Sequence, residues 1–293
     1  MHSLRLSLVA VLLVATVALV QAQSEPEPPV QAINLSTRVQ IQTGDSVGIA
    51  GFIISGSTPK HILVRAIGPS LSNLGVAGLL PDPVLELHGP GPFIAVTNNN
   101  WRDDPTQEAA ILGTGIAPEN DLESAIDITL DPGSYTAVVR GNGDGSGLAL
   151  VEDYDLSPGL DSKLANLSAR AFVSTGDNVV IAGFMLSGEI GDDGITVRGI
   201  GPSLSEIGVT NVMADPTLEM RNANGELQAI NNDWQDLPGQ AAELIAQGLE
   251  LTNPLESGFA TVLPPGAYTV LLAGRNNETG IGLVEVYDLG EPE

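Results

Sequence analysis

The sequence predicts an all-β chain: two tandem jelly-roll-like β-sandwich modules, each with one short helix. Three observations carry this. Segment 33–156 is echoed by segment 166–289 at a numbering offset that changes by one residue only, between Gly56/Gly188 and Arg65/Arg198. An offset that steady marks a duplicated structural unit. Helical periodicity is scarce, and short runs of β-branched and aliphatic residues are bounded by Gly, Pro, Asn and Asp, as in all-β chains. Eight such runs and one helix in each unit of about 125 residues suit a sandwich of two layers better than a closed barrel.

In the first unit the strands read Asn34–Gln42, Val47–Ser55, Ile62–Ile67, Val84–His88, Phe93–Thr97, Ala125–Leu130, Tyr135–Arg140 and Leu148–Asp155, and the second unit repeats the series. Gly44-Asp45 and Gly176-Asp177 give each first pair of strands a tight connection, so a hairpin is expected there. Val47–Ile54 is apolar on both faces, which predicts a strand covered on both sides, either a central strand of the sandwich or one under the short helix. Thr106–Leu112 and Gly239–Gln247 are the helices; Ala and Leu favour them, and Pro105 and Pro238 suit a first turn. Pro132-Gly133 and Pro265-Gly266 mark turns, each followed by a Tyr that can enter the core. Ser157–Ser162 lies in a short linker, 157–165, that should hold the units end to end with little freedom.

Met1–Ala22 reads as a secretory signal peptide, with Arg5, a weakly polar to apolar run over Leu6–Val20 and a small-x-small site at Val20-Gln21-Ala22; the alternative is an uncleaved N-terminal anchor. Residues 23–32 form an acidic, Pro-rich leader. No later stretch is apolar enough to span a bilayer, so no membrane span is expected in the mature chain. The cysteine count is 0, which removes thiol chemistry and cysteine metal sites. The net charge of −25 excludes the basic footprint that nucleic acid demands, and disfavours an anionic membrane surface. It leaves room for cations and for neutral or basic partners.

Several motifs occur once per unit: Arg-x-Ile-Gly-Pro-Ser-Leu (Arg65–Leu71, with Gly in place of the second residue at Arg198–Leu204), Asp-Pro-x-Leu-Glu (Asp82–Glu86, Asp215–Glu219), Asn-Asn-x-Trp (Asn98–Trp101, Asn231–Trp234), Pro-Gly-x-Tyr-Thr (Pro132–Thr136, Pro265–Thr269) and Val-Glu-x-Tyr-Asp-Leu (Val151–Leu156, Val284–Leu289). Together they resemble tandem, uncharacterised modules of secreted and surface proteins of environmental bacteria. The late Pro-Gly-x-Tyr strand is also loosely similar to bacterial pre-peptidase C-terminal β-sandwich domains, although the Asp-rich calcium run of those domains is absent. Both resemblances imply an exported β-sandwich, and neither implies a catalytic residue.

Three constellations are candidates for sites. Asn99, Asn100, Asp103 and Glu123, matched by Asn232, Asp233, Asp236 and Glu256, are oxygen-rich side chains beside a turn and could ligate calcium, which takes about 6–8 oxygens. The alternative is that Asn and Asp shape the turn through local backbone bonds, while Trp anchors it. Arg65 and Arg198 sit in otherwise apolar strands, and Glu152 and Glu285 share strand faces with apolar neighbours. A buried carboxylate needs a partner, so Arg65 should pair with Glu152 or Glu86, and Arg198 with Glu285 or Glu219. Trp101 and Trp234 are candidate ligand contacts. A Ser-His-Asp triad fails, because Ser70 and Ser203 lack a nucleophile elbow and neither His61 nor His88 recurs in the second unit. Two such histidines also make a poor zinc site. The Gly-rich stretch 141–147 lacks the Lys and the helix of a phosphate-binding loop.

The expectation is therefore a secreted, non-enzymatic binding or structural module at the cell surface or in the extracellular matrix, with an extracellular protein or a polysaccharide as partner. No cofactor is expected, with calcium the one candidate that the side chains suit. The alternatives are a carbohydrate- or protein-binding accessory module with calcium-supported loops, and a glycoside hydrolase built on a carboxylate pair.

Overall fold

A computed structural model describes residues 29–43, 47–159 and 161–290. The signal-peptide reading, most of the leader and the Gly44-Asp45 turn lie outside those residues. The first half supplies β1 (Gln31–Ile41), β2 (Gly48–Gly56), β3 (Lys60–Ile67), β4 (Pro83–His88), β5 (Val96–Asn98), α1 (Pro105–Gly113), β6 (Ser124–Leu130), β7 (Gly133–Gly141) and β8 (Gly147–Asp155). The second supplies β9 (Ser162–Val173), β10 (Val180–Ser187), β11 (Asp193–Ile200), β12 (Pro216–Asn222), β13 (Leu227–Asn231), α2 (Pro238–Ala246), β14 (Ser257–Leu263), β15 (Gly266–Gly274) and β16 (Gly280–Gly290).

These strands build two eight-stranded antiparallel sheets packed as a sandwich. The orders are β13-β12-β15-β10-β1-β8-β3-β6 and β14-β11-β16-β9-β2-β7-β4-β5. Each half contributes four strands to each sheet. Its strands 1-8-3-6 lie in one layer and 2-7-4-5 in the other, which is the jelly-roll arrangement. The two halves follow the same order with the layers exchanged, so β1 meets β10 in one sheet and β2 meets β9 in the other.

That arrangement corrects three expectations. β1 and β2 form no hairpin: β1 pairs with β8 and β10, and β2 with β7 and β9, so the chain crosses between layers at the first turn. The halves stand side by side with both sheets continuous, rather than end to end. β2 is central within its sheet but covered fully on one face only; Ala50, Phe52 and Ile54 are buried, while Ile49 and Ile53 are half-buried. Flanking strands therefore explain its double apolarity better than a second covering layer.

The seam is written into both copies. Ser36 Oγ donates to Gly183 O across β1–β10, and Ser168 Oγ donates to Gly51 O across β2–β9, each at 3.3 Å. A Cβ added at Gly183 would lie 2.7 Å from Ser36 Oγ, and one at Gly51 2.5 Å from Ser168 Oγ. One core runs through both halves, with Leu35, Phe52, Leu167 and Phe184 among its members. The turn tyrosines close it symmetrically: Tyr135 stacks on Phe52 at 5.4 Å and Tyr268 on Phe184 at 5.3 Å. Their hydroxyls donate to Asp131 O and Pro264 O, which resolves the polar end of each ring.

Smaller clusters lie beneath the helices. Trp101 packs with Leu63, Ile111 and Ala125 under α1, and Trp234 with Ile200, Leu204, Leu244 and Leu251 under α2. Among the described residues no helix is long and apolar enough to cross a membrane.

Candidate functional site

β3 and β8 place Arg65 opposite Glu152, and β11 and β16 place Arg198 opposite Glu285. Alternation turns these side chains to the outer face of the sheet, where the loops after β3 and α1 cover them. Arg65 Nε lies 3.1 Å and Nη2 2.5 Å from Glu152 Oε2, and Nη2 also donates to Tyr154 OH at 3.0 Å. Tyr154 OH donates to Glu152 Oε1 at 2.8 Å. In the second half Arg198 Nε lies 2.8 Å and Nη2 2.5 Å from Glu285 Oε2, with Tyr287 OH at 3.3 Å. The remaining guanidinium nitrogens donate to Ile116 O and Leu249 O. Burial first, and the adjacent carboxylate second, push both tyrosine hydroxyls up to about 12. The competing carboxylates go elsewhere: Glu86 binds Arg140 and His88, and Glu219 binds Arg221.

Glu123 and Glu256 are fully buried and organise the Gly-Pro-Ser motif. Glu123 Oε1 accepts from Gly68 N at 3.0 Å and Ser70 N at 2.8 Å; its Oε2 accepts from Ser70 Oγ at 2.7 Å and Asn120 N at 3.2 Å. Glu256 Oε1 accepts from Gly201 N, Ser203 N and Ser203 Oγ. The motif forms a 3₁₀ turn, Pro69–Leu74 or Pro202–Ile207, that the sequence reading missed. Its first glycine is required by close approach, since a Cβ at Gly68 would lie 2.1 Å from Leu80 O and one at Gly201 2.4 Å from Met213 O. With its oxygens bound to this turn, Glu123 is committed away from the Asn/Asp loops, whereas Glu256 commits Oε1 alone and its buried Oε2 has no hydrogen-bond partner.

Those loops are held by local bonds. Asn98 Nδ2 donates to Asn100 O and Asn98 Oδ1 accepts from Ala125 N, with the same pattern at Asn231. Asp103 Oδ2 accepts from Asn100 N at 3.3 Å. Ser124 Oγ ties Pro83 O to Asn99 O, and Ser257 Oγ ties Pro216 O to Asn232 O. Asp236 N donates to Asp233 O at 3.0 Å. Buried side-chain oxygens without a hydrogen-bond partner remain on Asn99, Asn100 and Asp233, and on the neighbouring Asp82 and Asp215. No group of three or more His, Cys, Asp or Glu is gathered as for a metal among the described residues. Trp101 and Trp234 are buried, so neither ring offers a face to a ligand, which corrects that expectation. Arg102 covers the Trp101 ring with its guanidinium 4.0 Å from the centroid.

The structure assembles a pocket that sequence reasoning did not find. A cavity of about 370 Å³ opens between the turn at Ser70–Leu74 and the segment Gly115–Glu119, floored by Arg65, Ile67, Leu150 and Glu152. Asn73 Nδ2 and Glu119 Oε2 bridge its rim at 2.9 Å. Leu74 stands on its lip 78% exposed, and Ile207 occupies the matching position of the other half at 73%. Their recurrence was the available signal: an apolar residue that both copies keep after Gly-Pro-Ser-Leu-Ser.

Four buried acids complete the charged inventory. Lys60 Nζ meets Asp155 Oδ2 at 2.6 Å with both side chains fully buried. The second half places Asp193 where Lys60 stands, and its cation comes from Lys163, which binds Asp288. Asp288 Oδ2 also accepts from Ala32 N of the first half at 2.8 Å. Burial, then the Asp288 carboxylate, raises Asp193 to about 7, against the opposing pull of Lys163. Asp153 is 1% exposed, points into the shared core, and has no partner for either oxygen.

No protein-family model matches the chain, and no curated protein matches it. A solved structure of a DUF4785 family protein from Legionella pneumophila is similar at 9% identity and a TM-score of 0.27, covering 90% of this chain and 62% of that one. The chain thus spans less than two thirds of that protein's length, and a likeness so slight leaves the reading to the geometry.

Proposed function

We propose that the chain is a secreted, non-enzymatic binding or structural module at the cell surface or in the extracellular matrix, with two equivalent contact points for a protein or polysaccharide partner. The observation that carries this is the matched exposure of Leu74 and Ile207 at the tips of the two Gly-Pro-Ser turns. A single exposed apolar residue is ordinary on a surface, but here one stands on the same turn in both halves, and in the first it lines a pocket, which suits an anchor for a partner. The charged groups that recur with it are spent on internal bonds: Arg65 and Glu152 on each other, Glu123 on backbone N–H groups. A hydrolase would need two carboxyls free to handle protons across a cleft; of the three at this pocket, Glu123 and Glu152 are engaged in buried bonds and Glu119 bonds Asn73 at the rim. The test is retention of the labelled chain on a panel of extracellular polysaccharides and on intact envelopes. Leu74→Asp with Ile207→Asp should reduce retention at least about tenfold by removing both apolar anchors. Unchanged retention rules out these anchors.

A second reading, an accessory module with calcium-supported loops, is favoured by the unpartnered oxygens of Asn99, Asn100 and Asp233. Millimolar calcium should then raise the melting midpoint through preferential binding to the native state. No shift removes that reading.

A further inference from the structure

We infer that the free end of the second half is a self-association face, joining two copies of this chain edge to edge through β13. The evidence is a contrast between equivalent positions. At the end of the second half, the edge strands β13 and β14 border a cavity of about 220 Å³ lined by Ile230, Leu237, Phe259 and Ala260, with no charged side chain among its described residues. Ile230 is 63% and Leu237 55% exposed, and Leu227 and Val262 on the same strands are exposed as well. The first half shows what this end looks like when it faces water. There Thr97 stands for Ile230, Asp104 for Leu237, Asp127 for Ala260 and Thr129 for Val262, while Leu227 alone keeps an exposed apolar counterpart, Ile94.

Leu237 breaks a local rule to be there. Asp104 caps α1 by accepting from Thr106 N at 2.7 Å and Gln107 N at 3.1 Å. Leu237 occupies the same cap position of α2 and makes no side-chain bond. A helix that gives up its cap to expose a leucine is better explained by a contact than by folding.

The occupant follows from charge and from the edge. A chain of net charge −25 repels its own copies unless they meet at a neutral surface, and this cavity wall is neutral. β13 pairs with β12 on one side and with no described strand on the other. Its sequence Leu-Gln-Ala-Ile-Asn is uncharged and can pair antiparallel with itself about a two-fold axis. The chain already joins jelly rolls by antiparallel edges at its internal seam.

Sedimentation of the purified chain across a range of concentrations tests this. The expected result is a dimer that tightens as salt rises, because screening relieves repulsion between acidic copies. Leu237→Asp should weaken dimerisation at least about tenfold while leaving the fold intact or more stable, since it restores a cap; Ile230→Thr should weaken it independently. Ile94→Thr, at the opposite end, should leave the dimer unchanged. A monomeric wild-type chain overturns the proposal and leaves this face to a foreign extended segment. A dimer that survives Leu237→Asp combined with Ile230→Thr overturns it equally.

Discussion

Asp153 is the residue whose position asks most of the fold. It sits on β8 between Leu35 and Val64 of the neighbouring strands, in a face that is otherwise core. Burial, and secondarily the Glu152 charge, raises its carboxyl to about 8. It is therefore a neutral acid at pH 7. Between the ordinary value of 3.8 and about 8 the native state holds a proton that the unfolded chain has released, so stability falls as pH rises through that window. The second half has Val286 at the same place, packed in the same core. Asp153→Val should stabilise the chain at pH 7 by on the order of 2–4 kcal/mol. The gain should shrink as pH falls toward 4, where the unfolded chain is protonated too. Melting midpoints of wild type and variant across pH 4–8 measure it; a pH-independent difference would contradict the protonated state.

At the scale of elements, the recurring charged residues act as clamps that fix loops onto sheets. Arg65 with Glu152 and Tyr154 holds the segment after α1 through Ile116 O, and Arg198 does the same through Leu249 O. Removing one partner leaves a largely buried charge without compensation. Arg65→Ala is expected to cost about 2–4 kcal/mol, whereas Arg65→Met combined with Glu152→Leu should recover most of that loss, because two desolvated charges leave together. Urea titration of the single and double variants decides. Glu123 works through its oxygens, which gather the N–H groups of Gly68 and Ser70 at the head of the 3₁₀ turn. Glu123→Gln keeps the volume but weakens the acceptor, so it should loosen Leu74 on its lip and increase proteolysis at that turn more than it lowers the midpoint.

At the scale of the molecule, the two halves do not own separate cores. β1 and β2 each find one neighbour in the other half, and without it both would become open edges in mid-sheet. The chain should unfold in a single calorimetric transition, and residues 29–156 alone should aggregate rather than give a cooperative one. Gly183→Val brings a side chain against Ser36 at the seam and should lower the midpoint of the whole chain, not of one half. Two resolved transitions would show the halves to be energetically independent.

How far these features were legible follows from the range of the interaction that makes them. Strand positions, the helices and the turn tyrosines answer to neighbours within a few residues, so alternation, Pro and Gly announce them. The layer count follows from the same alternation, and the doubled motifs mark two equivalent units. The Arg–Glu clamps were half legible, because an Arg in an apolar strand must find an acid, but only the β3–β8 register chooses Glu152 over Glu86. Nothing local could reveal that Trp101 is covered or that Glu123 belongs to the Gly-Pro-Ser turn; the burial depends on α1 and the bond spans 53 residues. The largest decision left to tertiary structure was the union of the halves. An edge strand and a central strand carry the same alternating pattern, and which edges meet is settled by shape and hydrogen bonding between segments distant in the chain. So the sequence by itself determined two jelly rolls and their shared motifs, and the packing of one against the other determined that they make one body.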